Sequence, residues 1–306
     1  MILITEFMDE AAIDRLREAH EVVYDPDLAG RQDEIPAMMQ GVAALIVRNR
    51  TQVRPALLDA APELACVGRL GVGLDNIDVP ACEGRGVTVY PATGANNLSV
   101  AEYVIGTAMA LLRGAYGVND RMIAGDWPRQ DCAGREVSGK VLGLVGFGAI
   151  ARDTGDRGRA LGMEIAAHDP FVPEGDPAWA EAGRLELDTL LAAADVVSLH
   201  VPLTDGTRHL IDADRIGRMR PGAILVNAAR GGVIDEPAVA AALKDGRLGG
   251  AALDVFETEP LAAEAARAFD GAPNLILTPH IAGVTVESNT RVSDLIADRV
   301  LAHLAG

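Results

Sequence analysis

The stretch that most narrows what this chain can become is 141–169, VLGLVGFGAIARDTGDRGRALGMEIAAHD. An apolar run holding Leu142, Leu144 and Val145 reads as a buried parallel strand. It breaks at Gly146-Phe147-Gly148-Ala149-Ile150-Ala151 into a helical pattern. Gly146 permits a tight exit that a side chain would resist, and Gly148 lets the backbone come close to a ligand phosphate. The helix that follows opens with unpaired N–H groups suited to that phosphate. Ala151 stands where a third glycine is common and is still small enough for close packing of helix on strand. Asp169 ends the next apolar run, where a carboxylate accepts from a ribose 2′-hydroxyl and repels a 2′-phosphate. A glycine turn alone arises often by chance. Strand, helix and acid in register predict a dinucleotide site that selects NAD.

A chain of 306 residues with 49% hydrophobic composition has room for two domains, each with its own core. No apolar run approaches the length of a membrane span, and the opening MILITEFMDE lacks the basic flank and cleavage site of a secretion signal. A soluble, cytoplasmic protein without a membrane partner is expected. Cys66, Cys82 and Cys132 form an odd set without CxxC spacing, which predicts free thiols and no metal site. Net charge is −17 and Lys140 and Lys244 are the only lysines, which argues against a broad basic surface for nucleic acid. An anionic ligand must then be gathered by a local arginine cluster.

Short β-like runs alternate with helical segments over residues 1–98, at 2–4, 22–24, 43–47, 66–70 and 87–90. A helical stripe with Val100, Val104, Ala108 and Leu111 covers 98–124, with Ser99 as its expected N-cap. A second alternation follows, with strands near 141–146, 163–168, 195–200, 223–227, 250–254 and 274–277. The tail, 284–306, has Val292, Leu295, Ile296, Val300 and Leu304 on one face and no strand after it. A lone amphipathic helix needs a surface to cover, and a return to the first domain supplies one. The predicted fold is therefore α/β: a Rossmann doubly wound parallel sheet at 99–283, plus a smaller flavodoxin-like α/β substrate domain made of 1–98 and 284–306.

In open α/β sheets the ligand lies beyond the carboxyl ends of the strands. Those ends carry Asn227-Ala228-Ala229-Arg230, then Asp254 and Glu259, then Pro279-His280. Singly, each charged residue reads as solvated; together they make a specific chemistry. The planar fork of Arg230 suits a carboxylate or an adjacent carbonyl oxygen, and His280 can exchange a proton near neutral pH with Glu259 orienting it. A proton donor beside a nicotinamide hydride reduces a carbonyl. His200 sits among apolar neighbours and reads as a pocket wall near the adenine, while Asp254 reads as either a turn cap or an acceptor for the nicotinamide amide. GRLGVGLDNID at 68–78 lacks the long helix of a nucleotide turn and suits a loop offering N–H groups to a carboxylate.

GRLGVGLDNID, SVAEYVIG, LGLVGFGAIA, DVVSLHVPLT, NAARGGVIDE, GAALDVFETEP and LTPHIAG, in this order, closely resemble the D-isomer-specific 2-hydroxyacid dehydrogenases, above all their phosphoglycerate dehydrogenase-like branch. The resemblance implies Arg230 as the arginine on the substrate carboxylate and carbonyl, Glu259 as the acid of the EP motif and His280 as the proton-exchanging histidine. It implies Val72, Gly73 and Asn96 as substrate contacts. On the cofactor side it implies Gly146, Gly148, Ala149 and Ile150 at the pyrophosphate, Asp169 at the ribose, Val201 and Pro202 at the adenine and Asp254 at the carboxamide, with Ala228, Arg230, His280 and Gly283 completing the NAD contacts. It also implies a homodimer formed through the NAD domain, and, with the chain ending at 306, no feedback through an appended regulatory domain. Two departures from the family pattern stand out: Ala151, and Arg135-Glu136 ahead of Lys140.

For the substrate, Arg48-Asn49-Arg50-Thr51 resembles the RSRT segment with which that branch meets a second anion. Together with GRLGVGLDNID and YPATGANNLSVAEY, the RNRTQV run is most similar to the branch acting on sulfolactate. Arg48 and Arg50 are then expected to take an anionic C3 group, with (S)-3-sulfolactate/3-sulfopyruvate as the preferred pair. The alternatives are 3-phosphoglycerate, and hydroxypyruvate or glyoxylate. A reading of another class is an NAD-sensing, corepressor-like interaction protein.

Overall fold

The structure, a computed structural model, describes all residues from Met1 to Gly306. The chain divides into two compact units, Met1–Asn96 with Val284–Gly306, and Asn97–Gly283.

In the first unit, β1 (Ile2–Ile4), β2 (Val22–Tyr24), β3 (Ala44–Val47), β4 (Cys66–Arg69) and β5 (Thr88–Pro91) form one parallel sheet in the order β2-β1-β3-β4-β5. β1 and β3 are apolar and buried along their whole length, as strands covered on both faces must be. One face meets Leu28, Ile35, Leu57, Leu58 and Cys82, and the other meets Ile13 and Leu16 of the helix Glu10–Ala19 together with the C-terminal helix Val286–Leu304. That last helix starts with a capping box between Thr285 and Ser288 and buries Val292, Ile296, Ala297 and Val300. Val292, Ile296 and Val300 each contribute roughly 1.5–3 kcal/mol by leaving water. Gly68 of β4 is what lets the helix come down, because a Cβ there would lie 2.6 Å from Cγ2 of Ile296.

The second unit holds β6 (Val141–Val145), β7 (Glu164–His168), β8 (Gly183–Arg184), β9 (Val196–Leu199), β10 (Ala223–Asn227), β11 (Leu248–Leu253) and β12 (Leu275–Leu277), all parallel, in the order β12-β11-β10-β9-β6-β7-β8. The order reverses between β6 and β9, the switch point where a doubly wound sheet opens a crevice. β8 has no counterpart among the expected strands: it is two exposed residues long and carries no alternation to read.

The helix expected over 98–124 needs correction. It runs Asn97–Arg113 and stops at Gly114, whose φ is +61°, and a separate short helix follows at Asn119–Ile123. Ser99 is not its N-cap; it lies inside the first turn and is buried. The expected stripe is the buried one, with Val104 and Ala108 packed against Leu142 and Ala151 in one cluster. Arg135, a departure from the family pattern, donates from Nη2 to the carbonyl of Gly222 at 2.7 Å, just ahead of β10.

Candidate functional site

β6 leaves the sheet through Gly146, whose φ is +89°. A Cβ there would lie 2.6 Å from the carbonyl oxygen of His200, which follows β9, so the two strand ends at the switch point touch backbone to backbone. Gly148 is the extended N-cap of the helix Ala149–Ala160, and a Cβ on it would meet nothing within 4 Å. The approach to the helix N-terminus is therefore open. The N–H groups of Ala149 and Ile150 donate to no protein acceptor, as the first turn of a helix dictates. Asp169 turns its carboxylate back onto this corner: Oδ2 accepts the N–H of Phe147 at 2.8 Å and Oδ1 that of Phe171 at 2.9 Å. A glycine corner, open helix amides and a fixed carboxylate fit a dinucleotide's pyrophosphate and ribose.

Ala151 is fully buried against Leu142, Leu144, Phe147 and Ala167. The tight approach of helix to sheet is made further along, by Gly155 and Gly158, where a Cβ at 158 would lie 2.9 Å from Cδ2 of Leu142. Beyond β9, Val201 is half-buried and Pro202 exposed, with its carbonyl accepting the Thr207 hydroxyl at 2.6 Å. The Ser198 hydroxyl lies 2.9 Å from Nε2 of His200, and burial pushes the His200 pKa down to about 4, so the ring is uncharged near neutral pH.

Three further strand ends of the same sheet carry the charged residues. After β10, buried Asn227 folds the turn by donating to the carbonyl of Arg230 at 3.0 Å and accepting from the N–H of Ala229 at 3.1 Å. This leaves Ala228 and Arg230 half-buried. After β11 and β12, Nδ1 of His280 donates to Oε2 of Glu259 at 2.7 Å, while Oε1 of Glu259 accepts the N–H of Phe256 at 3.1 Å. Burial alone would raise the Glu259 pKa; the hydrogen bond and charge of His280, the Phe256 N–H and the charge of Arg230 outweigh it and hold the carboxyl below its usual value. Glu259 is thus an ionised acceptor that fixes the imidazole.

His280 has φ +57°, an unusual value for a residue with a side chain. Asp254, buried at the end of β11, holds the loop in that shape. Its Oδ1 accepts the Ile281 N–H and the Thr278 hydroxyl at 2.8 and 2.6 Å, its Oδ2 accepts the Ala282 N–H at 2.8 Å, and its carbonyl accepts the His280 N–H at 2.8 Å. Tyr103 donates in turn to Thr278 at 2.6 Å, and burial pushes its pKa up to about 12. Gly283 follows, half-buried. The sequence offered Asp254 as a turn cap, but the part played by Thr278 and Tyr103 escaped it. Thr278, two residues before His280, was the available signal.

On the first unit, Arg48 and Arg50 follow β3. Nη2 of Arg48 donates to Oδ1 of Asn289 at 2.7 Å, and its guanidinium stands 5.8 Å from the Phe7 ring centroid. No carboxylate pairs with it, and burial lowers its pKa despite the opposing charge of Glu6. Arg50 is exposed and likewise without an ion pair. After β4, the N–H groups of Val72 and Gly73 donate to no protein acceptor. Oδ1 of Asn96 is buried without a partner. No group of three or more His, Cys, Asp or Glu is arranged to hold a metal, and no helix is long and apolar enough to cross a membrane.

The NAD-binding domain model of D-isomer specific 2-hydroxyacid dehydrogenases matches residues 105–282. The chain is 55% identical over 300 residues to an (S)-sulfolactate dehydrogenase of Chromohalobacter salexigens, covering 98% of this chain and 96% of that protein. It is 38% identical over 273 residues to a hydroxypyruvate reductase of Thermotoga maritima, covering 89% and 88%. Among solved structures, a D-lactate dehydrogenase from Aquifex aeolicus complexed with NAD and lactic acid has a TM-score of 0.84 at 27% identity, covering 100% of this chain and 96% of that one.

Proposed function

The chain belongs to the D-isomer specific 2-hydroxyacid dehydrogenase family, an NAD-dependent oxidoreductase acting on a CH–OH group, and from that premise we propose that it interconverts (S)-3-sulfolactate and 3-sulfopyruvate. The observation that carries the substrate assignment is Arg48: a partly desolvated guanidinium with no carboxylate partner, followed two residues later by a second unpaired arginine. Other arginines on this acidic chain, among them Arg15, Arg17, Arg31, Arg85 and Arg121, already have carboxylate neighbours. An unpaired, desolvated cation favours an anionic ligand, and a C3 sulfonate supplies one.

Bound NAD supplies the hydride acceptor for oxidation and, reduced, the donor for the reverse. Because Nδ1 of His280 is engaged by Glu259, Nε2 is left to take the C2 hydroxyl proton in oxidation and return it in reduction. The ionised carboxylate of Glu259 holds the ring's orientation and compensates the imidazolium. Arg230 binds the C1 carboxylate and the C2 oxygen, stabilising charge on that oxygen as the C–O bond order changes. The N–H groups of Val72 and Gly73, which donate to no protein acceptor, suit an anionic oxygen, and Asn96 keeps an unpartnered side-chain oxygen. Gly146, Gly148, Ala149 and Ile150 would hold the pyrophosphate, Asp169 the ribose, and Val201 and Pro202 the adenine, with Ala228, Asp254 and Gly283 as further contacts.

The second unit also exposes Tyr116, Ile123 and Trp127 within a short stretch, at 71%, 85% and 77%. Exposed apolar side chains this close in sequence support a homodimer formed through that unit. The free cysteines support a reducing compartment, the cytoplasm.

The test is NADH oxidation with 3-sulfopyruvate, phosphohydroxypyruvate, hydroxypyruvate and glyoxylate. The highest kcat/KM is expected with 3-sulfopyruvate. A higher value with any of the others would reassign the substrate, and no turnover of any 2-oxo acid would overturn the reaction.

A further inference from the structure

Glu6 lies two residues beyond β1 and is 4% exposed, yet it forms no ion pair. Its carboxylate is used entirely on the loop after β3: Oε1 accepts the N–H groups of Arg48 and Thr51 at 2.8 and 3.0 Å, and Oε2 accepts that of Arg50 at 3.1 Å. The hydroxyls of Thr5 and Thr51 meet at 2.8 Å beside it. From the opposite side, Asn76, 5% exposed, donates through Nδ2 to the carbonyls of Arg48 and Thr51 at 3.1 and 2.7 Å. Asn76 belongs to the loop that carries Val72 and Gly73, and its own carbonyl accepts the N–H of Val53 at 2.8 Å. Two buried side chains thus take three of the N–H groups and two of the carbonyls of one four-residue loop. Its arginine side chains are left for something outside it.

The loop is wrapped around an internal anion, which defines its shape more sharply than solvent would. A carboxylate presents two acceptor oxygens and no donor, so all three N–H groups must point inward together. An amide in its place would offer one oxygen and set an N–H against at least one of those donors. The carboxylate's charge also favours the Arg48 cation without forming an ion pair with it.

We propose that Glu6, seconded by Asn76, is the specificity-positioning residue of this enzyme: it holds the Arg48–Thr51 loop in the one conformation that presents both arginines to a C3 sulfonate, and so sets the preference for substrates carrying a C3 anion. This rests on the reading of Arg48 and Arg50 as the sulfonate subsite. A merely structural Glu6 would support all substrates alike.

The experiment compares kcat and KM for 3-sulfopyruvate and for hydroxypyruvate, whose C3 bears a hydroxyl, in the wild-type enzyme and in Glu6→Gln, Asn76→Asp, Arg48→Ala and Arg50→Ala. For Glu6→Gln and Asn76→Asp, KM for 3-sulfopyruvate should rise about tenfold or more with kcat within about threefold, while kcat/KM for hydroxypyruvate stays within about twofold. Equal losses with both substrates, or no loss with either, would overturn the proposal. If the arginine variants keep wild-type KM for 3-sulfopyruvate, the subsite reading itself fails. If they lose it while Glu6→Gln and Asn76→Asp do not, the subsite stands and Glu6 has no part in it. Should Glu6→Gln not fold, Asn76→Asp and Glu6→Asp carry the same comparison.

Discussion

Gly231→Ala tests whether the backbone after β10 sets the position of Glu259. An ideal Cβ on Gly231 would lie 1.8 Å from the carbonyl oxygen of Phe256, 2.1 Å from its carbonyl carbon and 2.7 Å from the nitrogen of Glu257. These are backbone atoms with no rotamer to yield, and ordinary contact begins at 3.4 Å, so the peptide must retreat by about 1.6 Å in a close-packed interior. It is held from both sides: Oε1 of Glu236 accepts the Glu257 N–H at 2.7 Å, and the Phe256 N–H donates to Glu259 at 3.1 Å. Moving it therefore drags Glu259 off the 2.7 Å bond to His280. Overpacking of this kind costs about 1–3 kcal/mol, which in a unit of this size lowers Tm by roughly 2–12 °C. A misplacement of about 1 Å in a catalytic group costs about 100-fold in rate. Steady-state NADH oxidation and thermal unfolding of the purified variant should show kcat/KM down about 100-fold with the fold retained. A variant with kcat/KM within about twofold of wild type and an unchanged Tm would refute the reasoning, because the contact would then not constrain the loop.

His280→Ala should lower kcat by about 1000-fold while NADH affinity, measured by fluorescence titration, stays within a few-fold; an unchanged rate would remove the proton donor. Asp169→Ala should raise KM for NADH about tenfold, and unaltered KM would show that the carboxylate serves only the Phe147 and Phe171 amides. The lowered His200 pKa gives a linkage effect with a definite sign. The unfolded chain takes up a proton as pH falls through about 6.5, whereas folded His200 does so only near 4, so stability present above the unfolded value is lost across that window. Between pH 7 and 5 the loss from this group is about 2 kcal/mol, and chemical denaturation of His200→Gln should show a correspondingly shallower decline; parallel pH curves would contradict it. Ile123→Asp should convert a dimer to a monomer in light scattering, and a wild-type mass that is already monomeric, or a dimer that persists in the variant, would count against the patch as the interface.

Much of the architecture was legible because its signals are local. Strands such as Ile2–Ile4 and Ala223–Asn227 announce themselves as apolar runs, and Gly146 announces a turn by the conformational freedom it keeps. The register of glycine turn, helix and Asp169 is a matter of chain spacing, so a one-dimensional reading reaches it. The boundary of the connecting helix was misread because the apolar stripe outruns the helix; Gly114 ends it, and Ser99 is drawn into the first turn and buried.

What only the tertiary structure decided involves atoms brought together from distant positions. Nothing near Ala151 tells that close helix-to-sheet packing falls to Gly155 and Gly158, because the atoms they avoid belong to Leu142 and Ile165 on neighbouring strands. Nothing near Glu6 tells that its carboxylate gathers the N–H groups of residues 48–51, or that Asp254 shapes the loop of His280. A polar side chain's role is set by which unsatisfied donors the fold delivers to it, and in a parallel sheet successive strand ends reach the same edge only after each crossover has returned. The sequence by itself therefore determined the elements, the cofactor turn and the kinds of groups available for chemistry. Which of those groups are held, by what, and which remain free for a ligand was decided by long-range packing and by the need to satisfy every buried donor and acceptor.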